Sequence, residues 1–153
     1  MPAEPVAVRY REGSVHGFLA LRTLEGEILA AGDLSQVVRG NHVASHLFSG
    51  SGTARATVKQ LSFSQQHDVR VIRDTTFRGP SFPHPTDVSI NASTGQVTVR
   101  YTDKGHEKVE TERLDLPPDL ANGIILNIVK NIRPETVETK VCLVWRPRRS
   151  PGL

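Results

Sequence analysis

The chain contains little cysteine and few aromatic residues. Its single cysteine, Cys142, excludes an internal disulfide bond. Because the apolar run 141–144 around it holds no cation, we expect a small buried side chain there rather than a reactive thiol. Phe, Trp and Tyr together make up 5% of the sequence, and the hydrophobic residues are mainly Val, Leu, Ile and Ala. The core must therefore be aliphatic, which suits β-strands.

Long apolar runs and a strong excess of charge are also missing. No stretch approaches the roughly 18 apolar residues that cross a membrane, so we expect a chain that does not span one. Residues 1–5 lack the charged segment and following apolar segment of a signal peptide. The net charge is +3, but arginines cluster in residues 146–149 and the other charges alternate in sign. Without a basic stripe interleaved with aromatic residues, we expect no nucleic-acid partner.

Six histidines raise the question of a metal site. His42 and His46 would share one face of a strand, yet at ~3.3 Å per residue they would stand roughly 13 Å apart, too far to bind one ion. No spacing in the sequence brings the other histidines together with a carboxylate. We therefore expect surface histidines, no metal site and no cofactor.

Apolar and polar residues alternate with a period of two along most of the chain, and turn residues interrupt the alternation. This pattern predicts strands. They cover residues 6–10, 15–21, 28–38, 42–48, 69–73, 87–91, 96–102, 108–114 and 137–144. Helical spacing occurs once, over about residues 118–131, where Leu120, Ile124 and Ile128 would share one side. The predicted fold is mainly β: an antiparallel meander sheet, curved or a partly open barrel, packed on one amphipathic helix.

The length of the chain favours one domain. We assign residues 1–5 as a disordered N-terminus, 6–145 as a single β-rich domain and 146–153 as a basic disordered tail. Within the domain, residues 49–60 form an irregular, linker-like segment in this interpretation, because they are rich in Ser, Gly and Thr and lack a clear apolar face. Strand 137–144 would leave an exposed edge, and such an edge favours self-association.

Two proline-rich motifs carry a family resemblance. Residues 79–88 are Gly-Pro-Ser-Phe-Pro-His-Pro-Thr-Asp-Val, and residues 114–123 are Leu-Asp-Leu-Pro-Pro-Asp-Leu-Ala-Asn-Gly. Together with the first hairpin, these motifs resemble an uncharacterised family of β-rich bacterial proteins that are secreted or associated with the envelope. The resemblance covers most of residues 6–48 and 64–144. It implies a periplasmic or secreted location and a non-enzymatic domain that binds an apolar or lipid-like ligand.

The chain departs from that family in two places. Residues 49–60 and 144–153 have the composition that a shifted reading frame of a GC-rich gene would give, and members of the family are longer. We therefore expect a chain that is truncated or frame-disrupted relative to the family. The alternative left open is a natural flexible loop and a natural basic tail, because loops tolerate such compositions.

The predicted ligand site combines the first proline-rich loop with the start of the helix. A sheet folded over an aliphatic helix forms an apolar concavity. The residues that we assign to the site are Phe82, His84, Asp87, Leu120, Asn122, Gly123 and Ile124. The alternative for its apolar members is that they fill the core. Gly123 would cost a helix about 1 kcal/mol relative to Ala, so its role would be to permit close packing against the sheet or a ligand.

A hydrolase-like enzyme is the second hypothesis. Its acid–base groups would be His84 with the carboxylates of Asp87, Asp115 and Asp119. Simpler roles are available for these carboxylates, because Asp119 suits the positive end of a helix. Ser81 lies in a rigid loop rather than on the strand-to-helix turn that presents a nucleophile. We therefore expect no catalytic residues and no enzymatic activity.

Overall fold

The computed structural model of the chain describes residues 4–50, 56–79 and 84–144. In chain order the elements are β1 Val15–Arg22, β2 Ile28–Arg39, β3 His42–Gly50, β4 Ala56–Gln65, β5 Val69–Arg78, β6 Thr86–Asn91, β7 Gln96–Asp103, β8 His106–Arg113 and α1 Ile125–Asn131. The strands form one sheet in the order of the sequence, each antiparallel to the next. Within the described residues β1 and β8 each pair with a single strand, so the sheet is not closed. The prediction of a mainly β antiparallel meander with one helix is confirmed.

Tight turns explain why consecutive strands are neighbours in the sheet. Lys104 and Gly105 join β7 to β8, and their φ angles are both positive, 51° and 79°. Two consecutive residues in this region form a type I′ turn, whose twist matches that of the flanking strands. Such turns fix the register of each pair, and the register decides which side chains share a face.

The register divides the strand side chains between an inner face, on the side of α1, and an outer face. Val43, Phe63 and Val71 lie opposite one another on β3, β4 and β5, and each is at most 8% exposed. Ile124 and Ile128 pack against them from the helical segment. The other buried members of this core cluster are Leu61, Val69, Ile90, Leu120 and Ala121. Since seven residues are too few to form a stable helix alone, this packing is what holds α1 together.

Residues 6–12 are fixed to the core by apolar and polar contacts. Val6 and Val8 pack against the core cluster. The side-chain oxygen Oδ1 of Asn131, in α1, accepts hydrogen bonds from the backbone amides of Arg9 and Tyr10, each at 2.7 Å. Asn131 is 3% exposed, so these bonds satisfy a buried polar group that would otherwise lose its hydration.

The predicted ends of the sheet are wrong. Residues 6–10 make one isolated bridge, between Ala7 and Asp68, instead of a strand. Residues 137–144 also make one bridge, between Cys142 and Leu120, and the sheet edge predicted there is absent from the described residues. A segment with an alternating pattern forms a strand only where a neighbouring strand is available for pairing. The edge strands of the sheet are β1 and β8 instead.

The linker-like segment is shorter than predicted. β3 continues through Gly50 and β4 begins at Ala56, so the prediction of irregular structure over residues 49–60 is wrong at both ends of that range. Residues 51–55 lie outside the described residues, as do most of the predicted disordered N-terminus and the whole basic tail. Whether residues 6–145 form a single domain stays a prediction.

The helix begins seven residues later than predicted, at Ile125 instead of 118. Gly123 has a φ of 79°, and a right-handed helix requires a negative φ. The residues before Ile125 therefore form turns, although Leu120 and Ile124 are buried at the helical spacing seen in the sequence. Only the second half of the predicted helix is helical.

Candidate functional site

The first three residues of the predicted site belong to the first proline-rich loop and the start of β6. Phe82 lies outside the described residues. His84 is exposed ahead of β6. Asp87 lies on the outer face, opposite Phe77 of β5 and Arg100 of β7. The sheet therefore separates Asp87 from the part of the predicted site that precedes α1 on the inner face.

The helical part of the predicted site has structural contacts. Leu120 and Ile124 are at most 2% exposed within the core cluster. Asn122 Nδ2 donates a hydrogen bond of 3.0 Å to the carbonyl oxygen of Val144, and Asn122 Oδ1 accepts one of 2.8 Å from the amide of Val144. Asn122 thus fixes the segment after α1 to the turn before it.

Gly123 packs against β4. A Cβ atom at this position would lie 3.0 Å from Lys59 Cε and 3.0 Å from Leu61 Cδ1. Both distances are shorter than ordinary carbon–carbon contacts. The absence of a side chain at Gly123 is what allows this close approach.

The carboxylates of the hydrolase hypothesis do not form an acid–base pair in the described structure. Asp119 is 7% exposed, and its Oδ1 accepts no hydrogen bond from the described residues. It lines a cavity of about 10 Å³ with Val69 and Ile128, on the inner side of the sheet. Asp87 lies on the outer face. A cavity of this size is at the lower limit for one water molecule, so it offers no room for a substrate.

The inner face continues beyond the core cluster as an apolar surface that α1 leaves uncovered. Leu19 and Leu21 on β1 are 48% and 62% exposed. Leu34 on β2 lies opposite Leu47 on β3, and both are half-buried. We call these four residues the inner leucine surface. Covering contiguous, water-exposed apolar groups with another apolar surface lowers the free energy of the system.

A charged pair borders the inner leucine surface on β4 and β5. Lys59 lies opposite Leu47 on one side and Thr76 on the other. Its ammonium is 2.9 Å from Oδ1 of Asp74 and donates hydrogen bonds to Asp74 Oδ2 at 3.1 Å and Thr76 Oγ1 at 3.3 Å. The Asp74 side chain is 7% exposed and the Lys59 side chain 27%. This pair therefore places one buried and one accessible charge next to the leucines.

An open depression of about 420 Å³ lies between the β6–β7 turn and the end of β8, and polar or charged groups such as Ser93, Thr94, Arg113 and Asp115 line it. Across residues 4–50, 56–79 and 84–144, no group of three His, Cys, Asp or Glu side chains could hold a metal ion. None of the helical structure in these ranges has the length and apolar character needed to cross a membrane.

No protein-family model, curated protein or solved structure matches the chain. The family resemblance of the proline-rich motifs therefore stays a prediction.

Proposed function

We propose that the chain is a non-enzymatic binding module for an apolar or lipid-like ligand, and that the inner leucine surface is its binding site. The observation that carries the proposal is the Leu34–Leu47 pair, which extends the apolar inner face past the helix and is flanked by the exposed Leu19 and Leu21. Burial of apolar surface contributes about 25 cal/mol per Å². A ligand that covers these side chains gains that contribution.

The charged border favours an amphiphile over a purely apolar molecule. Lys59 lies opposite Leu47 and keeps about a quarter of its side chain accessible, 27%. A ligand with an apolar tail on the leucines would place its polar end beside this ammonium. The bacterial envelope as the place of binding rests on the resemblance of the proline-rich motifs alone.

The test is a titration of the purified chain with a fluorescent fatty-acid analogue, followed by displacement with unlabelled phospholipid. We expect saturable fluorescence and full displacement. A Leu34→Gln variant should bind about tenfold more weakly or worse, because it puts an amide where the ligand tail lies. Absence of saturable binding by the folded protein would refute the proposal.

Leu114→Gln is the matched control. Leu114 is half-buried like Leu34, but it follows β8 and borders the polar depression instead of the inner leucine surface. Unfolding in urea shows whether each variant keeps its fold. If both variants lose binding to the same extent while folded, the inner leucine surface is not the site.

A further inference from the structure

The two edges of the sheet have opposite chemical character. β8 is His-Glu-Lys-Val-Glu-Thr-Glu-Arg, and five of its eight residues carry charge. β1 is Val-His-Gly-Phe-Leu-Ala-Leu-Arg, with its one permanent charge at the last residue. Charged side chains on an edge strand prevent a second strand from pairing with it. The sheet is therefore protected at β8 and open to pairing at β1.

Both faces of β1 expose apolar side chains. Phe18 projects from the outer face and is 83% exposed. Val15, Leu19 and Leu21 project from the inner face and are 48% to 62% exposed. In the part of the chain that the structure describes, β2 is the only strand that pairs with β1. A strand added at this edge would cover apolar side chains on both faces. It would also form hydrogen bonds with the backbone N–H and C=O groups of β1 that point away from β2.

We propose that β1 pairs antiparallel with β1 of a second copy of the chain, in the register that places Phe18 opposite Phe18. Opposite residues in an antiparallel pair share a face, so this register also places Val15 opposite Leu21 and Gly17 opposite Leu19. Val15, Phe18, Leu19 and Leu21 each then lie opposite an apolar residue or glycine of the other copy. The remaining pair, His16 with Ala20, opposes no like charges.

The symmetry of this pairing fixes the size of the assembly. Each copy uses the same strand, so the interface is two-fold symmetric and both β1 edges are used up. The remaining edges are the charged β8 strands, which resist further addition. The assembly is a dimer with a continuous sheet. Eight residues from each copy are fewer than the roughly 20–30 of a standard interface, so the dimer dissociates on dilution.

The first test is sedimentation equilibrium over a wide range of protein concentration. The parent chain should shift from monomer to dimer, and Phe18→Lys should raise the dissociation constant by about 30-fold or more, as expected for loss of a central aromatic anchor. Val109→Lys is the matched control, because Val109 is an exposed outer-face residue of the other edge, β8. A parent chain that stays monomeric overturns the proposal, and so does equal weakening by both variants.

The second test reads the register directly and does not depend on Phe18→Lys folding. Under mild oxidation, Phe18→Cys should form a disulfide-linked dimer with itself. Val15→Cys and Leu21→Cys should form one when mixed and none when separate. The parent chain, which contains Cys142, shows any dimer that arises elsewhere. Cross-linking of Leu21→Cys with itself, or none by Phe18→Cys, overturns the register and with it the proposal.

Discussion

Lys130 and Glu12 form an ion pair that ties α1 to the segment ahead of β1. The Lys130 ammonium contacts Oε1 of Glu12, and the same oxygen accepts a hydrogen bond of 2.8 Å from Asn127 Nδ2. The Glu12 side chain is 19% exposed. Partial burial raises the pKa of the Glu12 carboxyl, but the bonds from Lys130 and Asn127 outweigh it, so its pKa lies below the usual value of 4.5.

This pKa shift predicts an acid-sensitive contribution to stability. Because the pKa of Glu12 is lower in the folded than in the unfolded state, its contribution is complete above 4.5 and disappears as the pH falls through the folded value. Glu12→Gln should lower the free energy of unfolding by about 1–3 kcal/mol at neutral pH. Its difference from the parent should vanish in acid. Urea unfolding at a series of pH values measures both effects.

Asp103→Asn is the control for a surface pair. The hydrogen bond from Lys108 and its charge also lower the pKa of Asp103, but this pair lies on the protein surface. We expect little change in the free energy of unfolding, because solvent screens exposed pairs. If Asp103→Asn lowers the free energy of unfolding as much as Glu12→Gln does, the loss is not specific to Glu12. The contacts of Glu12 with Lys130 and Asn127 would then not explain it.

Comparing alanine substitutions at Gly123 and Gly105 separates the effect of backbone strain on stability from the effect of packing. Both have a φ of 79°, so Ala at either position is strained by about 1–2 kcal/mol. A Cβ at Gly105 meets nothing within 4 Å, whereas one at Gly123 meets Lys59 and Leu61 at 3.0 Å. We expect Gly123→Ala to lower the free energy of unfolding by about 1 kcal/mol more than Gly105→Ala does. Equal losses in urea unfolding would mean that β4 yields freely to the added methyl group.

The sequence predicts most of the sheet because alternation and turns are local. Strands β2 and β7, the first half of β5 and the turn at Lys104-Gly105 follow directly from these signals. Strand β4 is absent from the prediction altogether, since the Ser- and Gly-rich composition of residues 49–60 conceals a period-two run that leads to the buried Leu61 and Phe63. Extending the alternation backwards from Phe63 would have found Lys59 on the inner face.

The candidate site depends on long-range pairing and could not be predicted in the same way. Leu34 and Leu47 are ordinary strand residues in sequence, and only the β2–β3 register places them side by side. Conversely, Leu120 and Ile124 looked suitable for a ligand but pack into the core. Which apolar residues a helix covers depends on its position over the sheet, and here Gly123 decides where that helix begins.

Asn131 should be essential for holding residues 9 and 10. Its Oδ1 accepts hydrogen bonds from the amides of Arg9 and Tyr10, and its Nδ2 donates one of 2.7 Å to the carbonyl of Asn127. Asn131→Ala leaves those amides without this acceptor and should cost about 1–3 kcal/mol in urea unfolding. Amide hydrogen exchange at Arg9 and Tyr10 should accelerate.

Asn41→Ala is the matched control for Asn131. The Asn41 side chain accepts a hydrogen bond from Arg11 at an exposed position, so its loss should change stability by no more than about 0.5 kcal/mol. Unchanged exchange at Arg9 and Tyr10 in Asn131→Ala would show that the core cluster alone fixes this segment.

We expect a large coupling energy between the Lys59 and Asp74 side chains. Lys59→Met leaves the carboxylate of Asp74 buried without its cation, and removing one partner of a buried pair typically costs 3–5 kcal/mol. Because 27% of the Lys59 side chain is exposed, solvent partly compensates and we expect a loss of about 2–3 kcal/mol.

The double variant Lys59→Met, Asp74→Leu removes both charges and should recover most of that loss. Urea unfolding of both single variants and the double variant gives the coupling energy. Additive losses would mean that water, rather than Lys59, compensates the charge of Asp74.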